Sequence, residues 1–124
     1  MRQIKFRAQD IASNKWLYGD LRHHKHDVCI FDAGGTKGEQ VKRDTVGQFT
    51  GLRDINGKDI YEGDILEVNY ADEDNYLEVR FVRGVFAFLW NGDLDDEFPC
   101  NAPTHEWAKV IGNIYDDPEL IKRH

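Results

Sequence analysis

The stretch from residue 50 to residue 70 constrains the fold of this chain more than any other part of it. It contains Asn56-Gly57, which favours the type I′ turn of a β-hairpin because both central residues of that turn need a positive φ. Gly63-Asp64 forms a second turn, and the strand that follows places three apolar residues on one face: Leu66, Val68 and Tyr70. Two turns and an alternating strand in so short a stretch predict a small β-rich domain.

The N-terminal part of the chain shows the same alternation of apolar and polar residues. Residues 4–8 and 15–18 each read as a strand, and the polar residues 10–14 between them read as a turn. We therefore predict an N-terminal β-hairpin.

A β-meander is predicted from residue 64 onward, with strands at residues 64–70, 77–81 and 85–90. Residues 93–106 hold Pro99 and Pro103 and are predicted to form a loop before a final strand at 109–115. Asp117-Pro118 can begin a short helical turn, with Asp as the N-cap and Pro at the first helical position.

This spacing of short strands and turns predicts a mainly β fold, a small SH3-like or pseudo-barrel meander. We expect the N-terminal hairpin and at most one short C-terminal helix besides the strands. At 124 residues the chain has the size of one domain. We therefore predict a single domain over 1–124, with a hairpin region at 1–32 and a barrel-like core at 46–115.

Three segments of the sequence are distinctive: Ile4-Lys-Phe-Arg-Ala-Gln-Asp10, Thr50-Gly-Leu-Arg-Asp-Ile-Asn-Gly-Lys-Asp-Ile-Tyr-Glu-Gly-Asp-Ile65 and Val110-Ile-Gly-Asn-Ile-Tyr-Asp-Asp-Pro-Glu-Leu120. Together they resemble the YopX family of proteins encoded by bacteriophages and prophages. One departure is Gln9, where the family usually has an aromatic residue. The resemblance implies a mainly β fold and a phage or prophage origin. It implies no activity, since the family has no established biochemical function.

The charge of the chain is unevenly distributed around a net value of −7. The second half is rich in Asp and Glu. The first 43 residues carry most of the Lys and Arg, among them Lys5, Arg7, Arg22, Lys25, Lys42 and Arg43. An acidic balance disfavours binding to the phosphate backbone of nucleic acid, although a local basic face stays possible. The asymmetry also suits self-association.

Hydropathy predicts a location in the cytoplasm of a bacterial host. The mean hydropathy is −0.65, and the sequence has no apolar run of about 18 residues that would span a membrane. The first residues lack the apolar segment of a signal peptide. In that compartment we expect both cysteines, Cys29 and Cys100, to be reduced and to bind no zinc.

A histidine cluster is the candidate metal site, formed by His23, His24 and His26 with Asp20 and Asp27 nearby. Imidazole and carboxylate groups are metal ligands, and on a strand His24 and His26 would lie on the same face. A solvated polar loop explains the same residues, and we favour that interpretation. We therefore predict no metal site.

Two acidic clusters can each be interpreted as a metal or catalytic site or as structural turns. The segment from Asp54 to Asp64 holds several carboxylate and amide groups, which turn chemistry explains more simply than a catalytic or metal site. Residues 91–97 offer oxygen ligands but lack the spacing of an EF-hand loop, so a solvated turn is favoured.

Three aromatic residues, Trp90, Trp107 and Tyr61, are the candidates for a binding interface, because Trp and Tyr dominate interface hot spots. Core positions are the favoured alternative for these residues. We predict no catalytic residue and no cofactor, since the sequence shows no nucleophile motif and no phosphate-binding loop.

We therefore favour a non-enzymatic, protein-binding or self-assembling module, with a further copy or a host or phage protein as its partner and no contact with a membrane. Two alternatives stay open. One is a nucleic-acid-binding module that uses the N-terminal basic face, and the other is a metal-dependent enzyme that uses residues 23–26 or 54–64.

Overall fold

The structure is a computed structural model that describes residues 3–32, 34–35, 37–70, 73–100 and 103–121, with Tyr70, Glu73 and Asp74 described by their backbone alone. Within these residues the chain is mainly β, as predicted, and it divides into two compact units, Met1–Phe49 and Thr50–His124. No helix in the described residues is long and apolar enough to cross a membrane.

The first unit is an antiparallel sheet in the order β4-β3-β2-β1-β5. A 3-10 helix, η1 (Arg43–Thr45), precedes β5, and β5 begins in this unit and ends in the second. The strands are β1 (Phe6–Gln9), β2 (Trp16–His24), β3 (Asp27–Phe31), β4 (Gly38–Gln40) and β5 (Gly47–Arg53). The predicted N-terminal hairpin is confirmed, since β1 and β2 pair around a turn at residues 10–14.

In the first unit, the residue that follows β4 pairs with the residue that follows β1. An isolated antiparallel bridge joins Asp10, at the end of β1, to Val41, immediately after β4. Beside the bridge, the N–H of Lys42 donates to the carbonyl of Gln9 at 2.8 Å and that of Ile11 to the carbonyl of Gln40 at 3.1 Å. A cluster of buried apolar side chains in this unit consists of Ala8, Val28, Ile30 and Val41.

Thr45 fastens η1 to β1 by two hydrogen bonds of its buried hydroxyl. Its Oγ1 accepts from the N–H of Gln9 at 2.9 Å and donates to the carbonyl of Lys42 at 2.7 Å. Gln9, the position that departs from the family pattern, is itself only 9% exposed.

The second unit holds an antiparallel sheet in the order β10-β9-β8-β7-β11, and β6 lies next to β5. Its strands are β6 (Asp59–Tyr61), β7 (Asp64–Tyr70), β8 (Glu73–Val82), β9 (Val85–Trp90), β10 (Glu97–Pro99) and β11 (Ala108–Asn113). The predicted meander is confirmed, because β7, β8 and β9 pair consecutively.

The helical segments of the second unit are short. The described residues hold one α-helix, α1 (Thr104–Trp107), which lies before the final strand, and a 3-10 helix, η2 (Pro118–Ile121), where Asp117-Pro118 predicted a helical turn. The SH3-like barrel and the single domain over 1–124 stay predictions.

The turn chemistry differs from the prediction at Asn56-Gly57. The hairpin is present, but only Gly57 has a positive φ, of 79°, and its N–H donates to the carbonyl of Asp54 at 2.9 Å. This is a type I turn followed by a left-handed glycine. Positive φ at both central residues occurs at Arg83-Gly84, with φ 48° and 85°, which joins β8 to β9.

The predicted loop at 93–106 is wrong in part, because it contains β10 and α1. β10 has three residues and exists through its pairing with β9, in which Phe98 lies opposite Phe88. α1 is a single turn of four residues. Neither element is long enough to give the sequence periodicity on which the prediction rested.

Replacing Thr45 by valine should lower the free energy of unfolding by about 1–3 kcal/mol, since the buried N–H of Gln9 loses its acceptor while the shape of the side chain is kept. Urea denaturation measures the change. Thr45→Ser is the matched control, because it keeps both hydrogen bonds and should cost about 1 kcal/mol or less for the lost methyl group. Equal losses in the two variants would contradict this role of the hydroxyl.

Candidate functional site

The apolar face of the second unit opens into a cavity of about 260 Å³, which we call the aromatic groove. Four strands and the helix contribute to it. Its lining residues are Val68 and Asn69 of β7, Leu77 of β8, Trp90 of β9, Phe98 of β10 and Trp107 of α1.

Strand register explains why these side chains meet. Leu77 lies opposite Trp90, and Phe98 lies opposite Phe88, two residues before Trp90 on β9. Since alternate residues of a strand share a face and paired residues lie on the same face, Leu77, Phe88, Trp90 and Phe98 lie on the same side of the sheet. The groove is therefore the open end of the apolar layer whose centre is the fully buried Phe88.

Aromatic rings of the groove pack edge to face against the buried ring of Phe88. The Phe88 ring contacts the Phe98 ring edge to face at a centroid distance of 5.4 Å and the Trp107 ring at 6.2 Å. Trp90 and Trp107 are neither buried nor fully exposed, and both pack against the core. The two indoles are therefore held in place by the core while part of each faces the groove.

An acidic loop (residues 91–96) joins β9 to β10 and follows directly after Trp90, which lines the groove. It is tied to Trp90, whose N–H donates to the carbonyl of Asp96 at 3.0 Å and whose carbonyl accepts from the N–H of Asp93 at 3.0 Å. Asp93 Oδ1 also accepts from the N–H of Asp95 at 3.0 Å. In the middle of this loop Leu94 is 51% exposed. The loop that follows Trp90 therefore carries three Asp residues and an exposed Leu, and backbone hydrogen bonds hold it to this groove residue.

Two of the three predicted interface residues, Trp90 and Trp107, line the groove. The third, Tyr61, is only 3% exposed and is a core residue of the second unit. Sequence reasoning missed Phe98 and Leu94. Phe98 joins the groove only through the short strand β10, whereas Leu94, a lone apolar residue among acids, was a visible signal.

Asp54, in the predicted polar cluster 54–64, is 2% exposed and accepts three backbone hydrogen bonds. Its Oδ1 accepts from the N–H groups of Asn56 and Lys58 at 2.9 and 2.8 Å, and its Oδ2 from that of Val110 at 2.9 Å. Burial raises the pKa of Asp54, but these hydrogen bonds outweigh it, so the pKa lies below the ordinary value of 3.8.

The other groups of this cluster also have structural partners. Asp64, 1% exposed, accepts from the N–H of Tyr61 at 2.7 Å. Asp59 accepts from Nε of Arg53 at 2.9 Å. The carboxylates organise the turns and strand ends around them, which supports the interpretation as turn chemistry.

The histidine cluster lies at the tip of the β2–β3 hairpin, where His23, His24 and His26 are all exposed. The expectation that His24 and His26 share a strand face does not hold. β2 ends at His24, which pairs with Asp27, and Lys25, with a φ of 57°, and His26 form the turn between the strands. Within the described residues, no group of three or more His, Cys, Asp or Glu side chains is placed to hold a metal ion.

Both cysteines are free thiols, as predicted. Cys100 packs against the core of the second unit, and burial raises its pKa to about 12. Its thiol therefore stays protonated at neutral pH and is a poor nucleophile.

Comparison with known proteins agrees with this architecture. The family model described as YopX protein matches residues 5–122, nearly the whole chain. The crystal structure of protein EF1440 from Enterococcus faecalis is similar, with a TM-score of 0.62 and 23% sequence identity over 98% of this chain and 100% of that one. At that identity the likeness shows the fold alone. No curated protein matches the sequence.

Replacing Asp54 by asparagine should lower the free energy of unfolding at neutral pH by about 2 kcal/mol, because hydrogen bonds to a charged acceptor are lost. The pKa of Asp54 is lowered in the folded state, so its contribution is complete above the unfolded pKa and disappears as the pH falls through the folded pKa. The difference between the two proteins should therefore shrink below about pH 4.

Urea denaturation across pH measures this effect, with Asp59→Asn as the control. Asp59 accepts from the exposed side chain of Arg53, so its loss should cost about 1 kcal/mol or less. A difference between wild type and Asp54→Asn that stays constant down to pH 2, or an equal loss in both variants, would contradict the role assigned to the Asp54 carboxylate.

Free indole, as a mimic of an aromatic side chain, should bind in the aromatic groove. The chain contains three tryptophans, so the indole N–H signals in a ¹⁵N–¹H NMR spectrum report on it directly. The signals of Trp90 and Trp107 should shift on titration. Trp16, in the first unit with Arg7 over its ring at 4.7 Å, is the internal control and should not move. Shifts of all three signals alike, or of none, would contradict a preformed groove.

Proposed function

Because the chain belongs to the YopX family, we propose that it is a phage or prophage protein that acts without enzymatic activity, as a protein-binding module in the bacterial cytoplasm. The aromatic groove and the acidic loop beside it are its contact surface. The partner inserts an apolar side chain into the groove and packs against Leu94.

The aromatic groove is the observation that supports this proposal. Trp residues that are held by a core and partly exposed are typical anchors of protein interfaces, because they bury a large area at little cost in conformational entropy. Leu94 lies outside the cavity with half of its surface exposed. A small molecule in the cavity would leave this residue uncovered, whereas a protein surface would cover both.

The nucleic-acid alternative is weaker, because basic residues of the N-terminal face are engaged with aromatic rings. Arg7 is only 5% exposed and lies over Trp16. Lys5 lies over Phe49 at 4.7 Å, and Arg22 lies over Phe31 at 4.1 Å. Phosphate binding needs accessible cations, and a buried Arg7 does not provide one.

The metal-enzyme alternative has little support in the described residues. Both oxygens of the Asp54 carboxylate are occupied by backbone donors. The three histidines lie exposed at a hairpin tip rather than around a cavity. We therefore do not assign a reaction to the protein.

Replacing Leu94 by serine should reduce partner recovery by at least about fivefold without loss of stability, because an exposed apolar contact is removed from the interface alone. Tagged protein is purified from host cells after phage induction, and each co-purifying protein, together with an untagged copy of the chain, is quantified by mass spectrometry. Val85→Ser is the control, since Val85 is 54% exposed in the same unit, against 51% for Leu94.

The expected result is one partner that is retained by wild type and Val85→Ser and lost by Leu94→Ser. Recovery of every co-purifying protein in equal amounts from the three proteins would contradict the proposed surface. So would the absence of any stoichiometric partner from the wild-type sample.

A further inference from the structure

The two units carry net charges of opposite sign. Residues 1–49 contain nine Lys and Arg against six Asp and Glu, a net charge of +3, whereas residues 50–124 contain seven against seventeen, a net charge of −10. Unlike charges on two surfaces accelerate their encounter and select their register. The first unit of one copy is therefore electrostatically complementary to the second unit of another.

The aromatic groove sets two requirements for its occupant. Its lining is mostly apolar, so the inserted group is apolar. The loop bonded to the backbone of Trp90 carries Asp93, Asp95 and Asp96, so an occupant with cations next to its apolar group is favoured.

The β1–β2 loop of the first unit meets both requirements. Ile11 lies at its tip and is 51% exposed. Lys15 is exposed at the end of the same loop, and Lys42 reaches it by donating a hydrogen bond from Nζ to Oδ1 of Asn14. The loop thus presents an aliphatic side chain flanked by two cations.

The loop is also ordered before any partner binds. Asp10 accepts from the N–H of Ala12 and from the hydroxyl of Ser13, both at 3.0 Å, and the N–H of Asn14 donates to the carbonyl of Asp10 at 2.9 Å. The carboxylate of Asp10 is therefore turned toward the loop's own donors. A preformed loop loses little conformational entropy on binding, which favours association.

We propose that a second copy of this chain occupies the aromatic groove, with Ile11 as the inserted side chain and Lys15 and Lys42 facing the acidic loop. This inference rests on the proposed function and identifies its partner. The contact joins different surfaces of the two copies. In a pair, one copy has used its groove and the other has used its β1–β2 loop, so each copy still has one surface with which to bind a further copy. Such a head-to-tail contact builds rings or open chains rather than a symmetric dimer.

Sedimentation velocity of the full chain from micromolar to millimolar concentration tests the proposal. The wild type should form oligomers in low salt and dissociate in about 1 M NaCl, where charges are screened beyond about 3 Å. Asp95→Lys with Asp96→Lys, and separately Lys15→Glu with Lys42→Glu, should each weaken association by about tenfold. Mixing these two double variants should restore it, because the reversed charges match again.

Ile11→Ser tests the inserted side chain against Ile4→Ser, its control, since Ile4 is 57% exposed in the same unit. Ile11→Ser should abolish oligomers, and Ile4→Ser should leave them intact. Thermal melting checks that each variant is folded. A wild type that is monomeric throughout, double variants that associate like wild type, or a mixture that fails to recover would each overturn the proposal.

The outcome separates this inference from the proposed function. If the chain is monomeric while indole still shifts the signals of Trp90 and Trp107, and Leu94→Ser still loses a host or phage protein, the groove binds a different protein and only the second-copy assignment fails. If the chain is monomeric and indole shifts neither signal, both fail.

Discussion

The hydrogen bonds of the Asp54 carboxylate are the interaction on which the second unit depends. By accepting from the N–H of Val110, the carboxylate joins the turn after β5 to the edge strand β11. A second hydrogen bond, from the N–H of Ile55 to the carbonyl of Ala108 at 2.8 Å, joins the same turn to the same strand. Thr104 at the start of α1 donates to the carbonyl of Arg53 at 2.8 Å. Trp107 ends this helix, so one wall of the aromatic groove rests on the Asp54 turn.

The same contacts favour the groove, rather than an edge of the second unit's sheet, as the binding surface that we propose. An unpaired edge strand invites pairing with another chain. At β11 the turn around Asp54 occupies backbone groups of the edge, and at the opposite edge β10 has three residues and includes Pro99, which cannot donate a ladder hydrogen bond. We therefore assign the proposed contact to side chains on the face of this sheet, where the groove combines partly exposed aromatic rings with a cavity.

Local patterns predicted most of the strands and two of the groove residues, because alternation and turn residues are encoded over a few positions. They failed where the structure depends on distant partners. The carboxylate of Asp54 stabilises the type I turn at Asn56-Gly57, and it is itself held by the distant N–H of Val110. β10 is a strand through its pairing with β9. The position of Phe98 in the groove could therefore not be predicted from local sequence patterns. The bridge from Asp10 to Val41 is another long-range pairing that no local pattern contains.

Hydroxyl-radical footprinting tests the central claim, that the aromatic groove is the surface covered by the partner. Side-chain oxidation is compared between the protein isolated in dilute, high-salt solution and the protein recovered in complex from host cells. We predict strong protection of Trp90, Trp107 and Leu94 in the complex, with Phe81 and Val85, each about half exposed, oxidised as before. Unchanged oxidation of the two tryptophans and Leu94 in a complex that protects other residues would contradict the account.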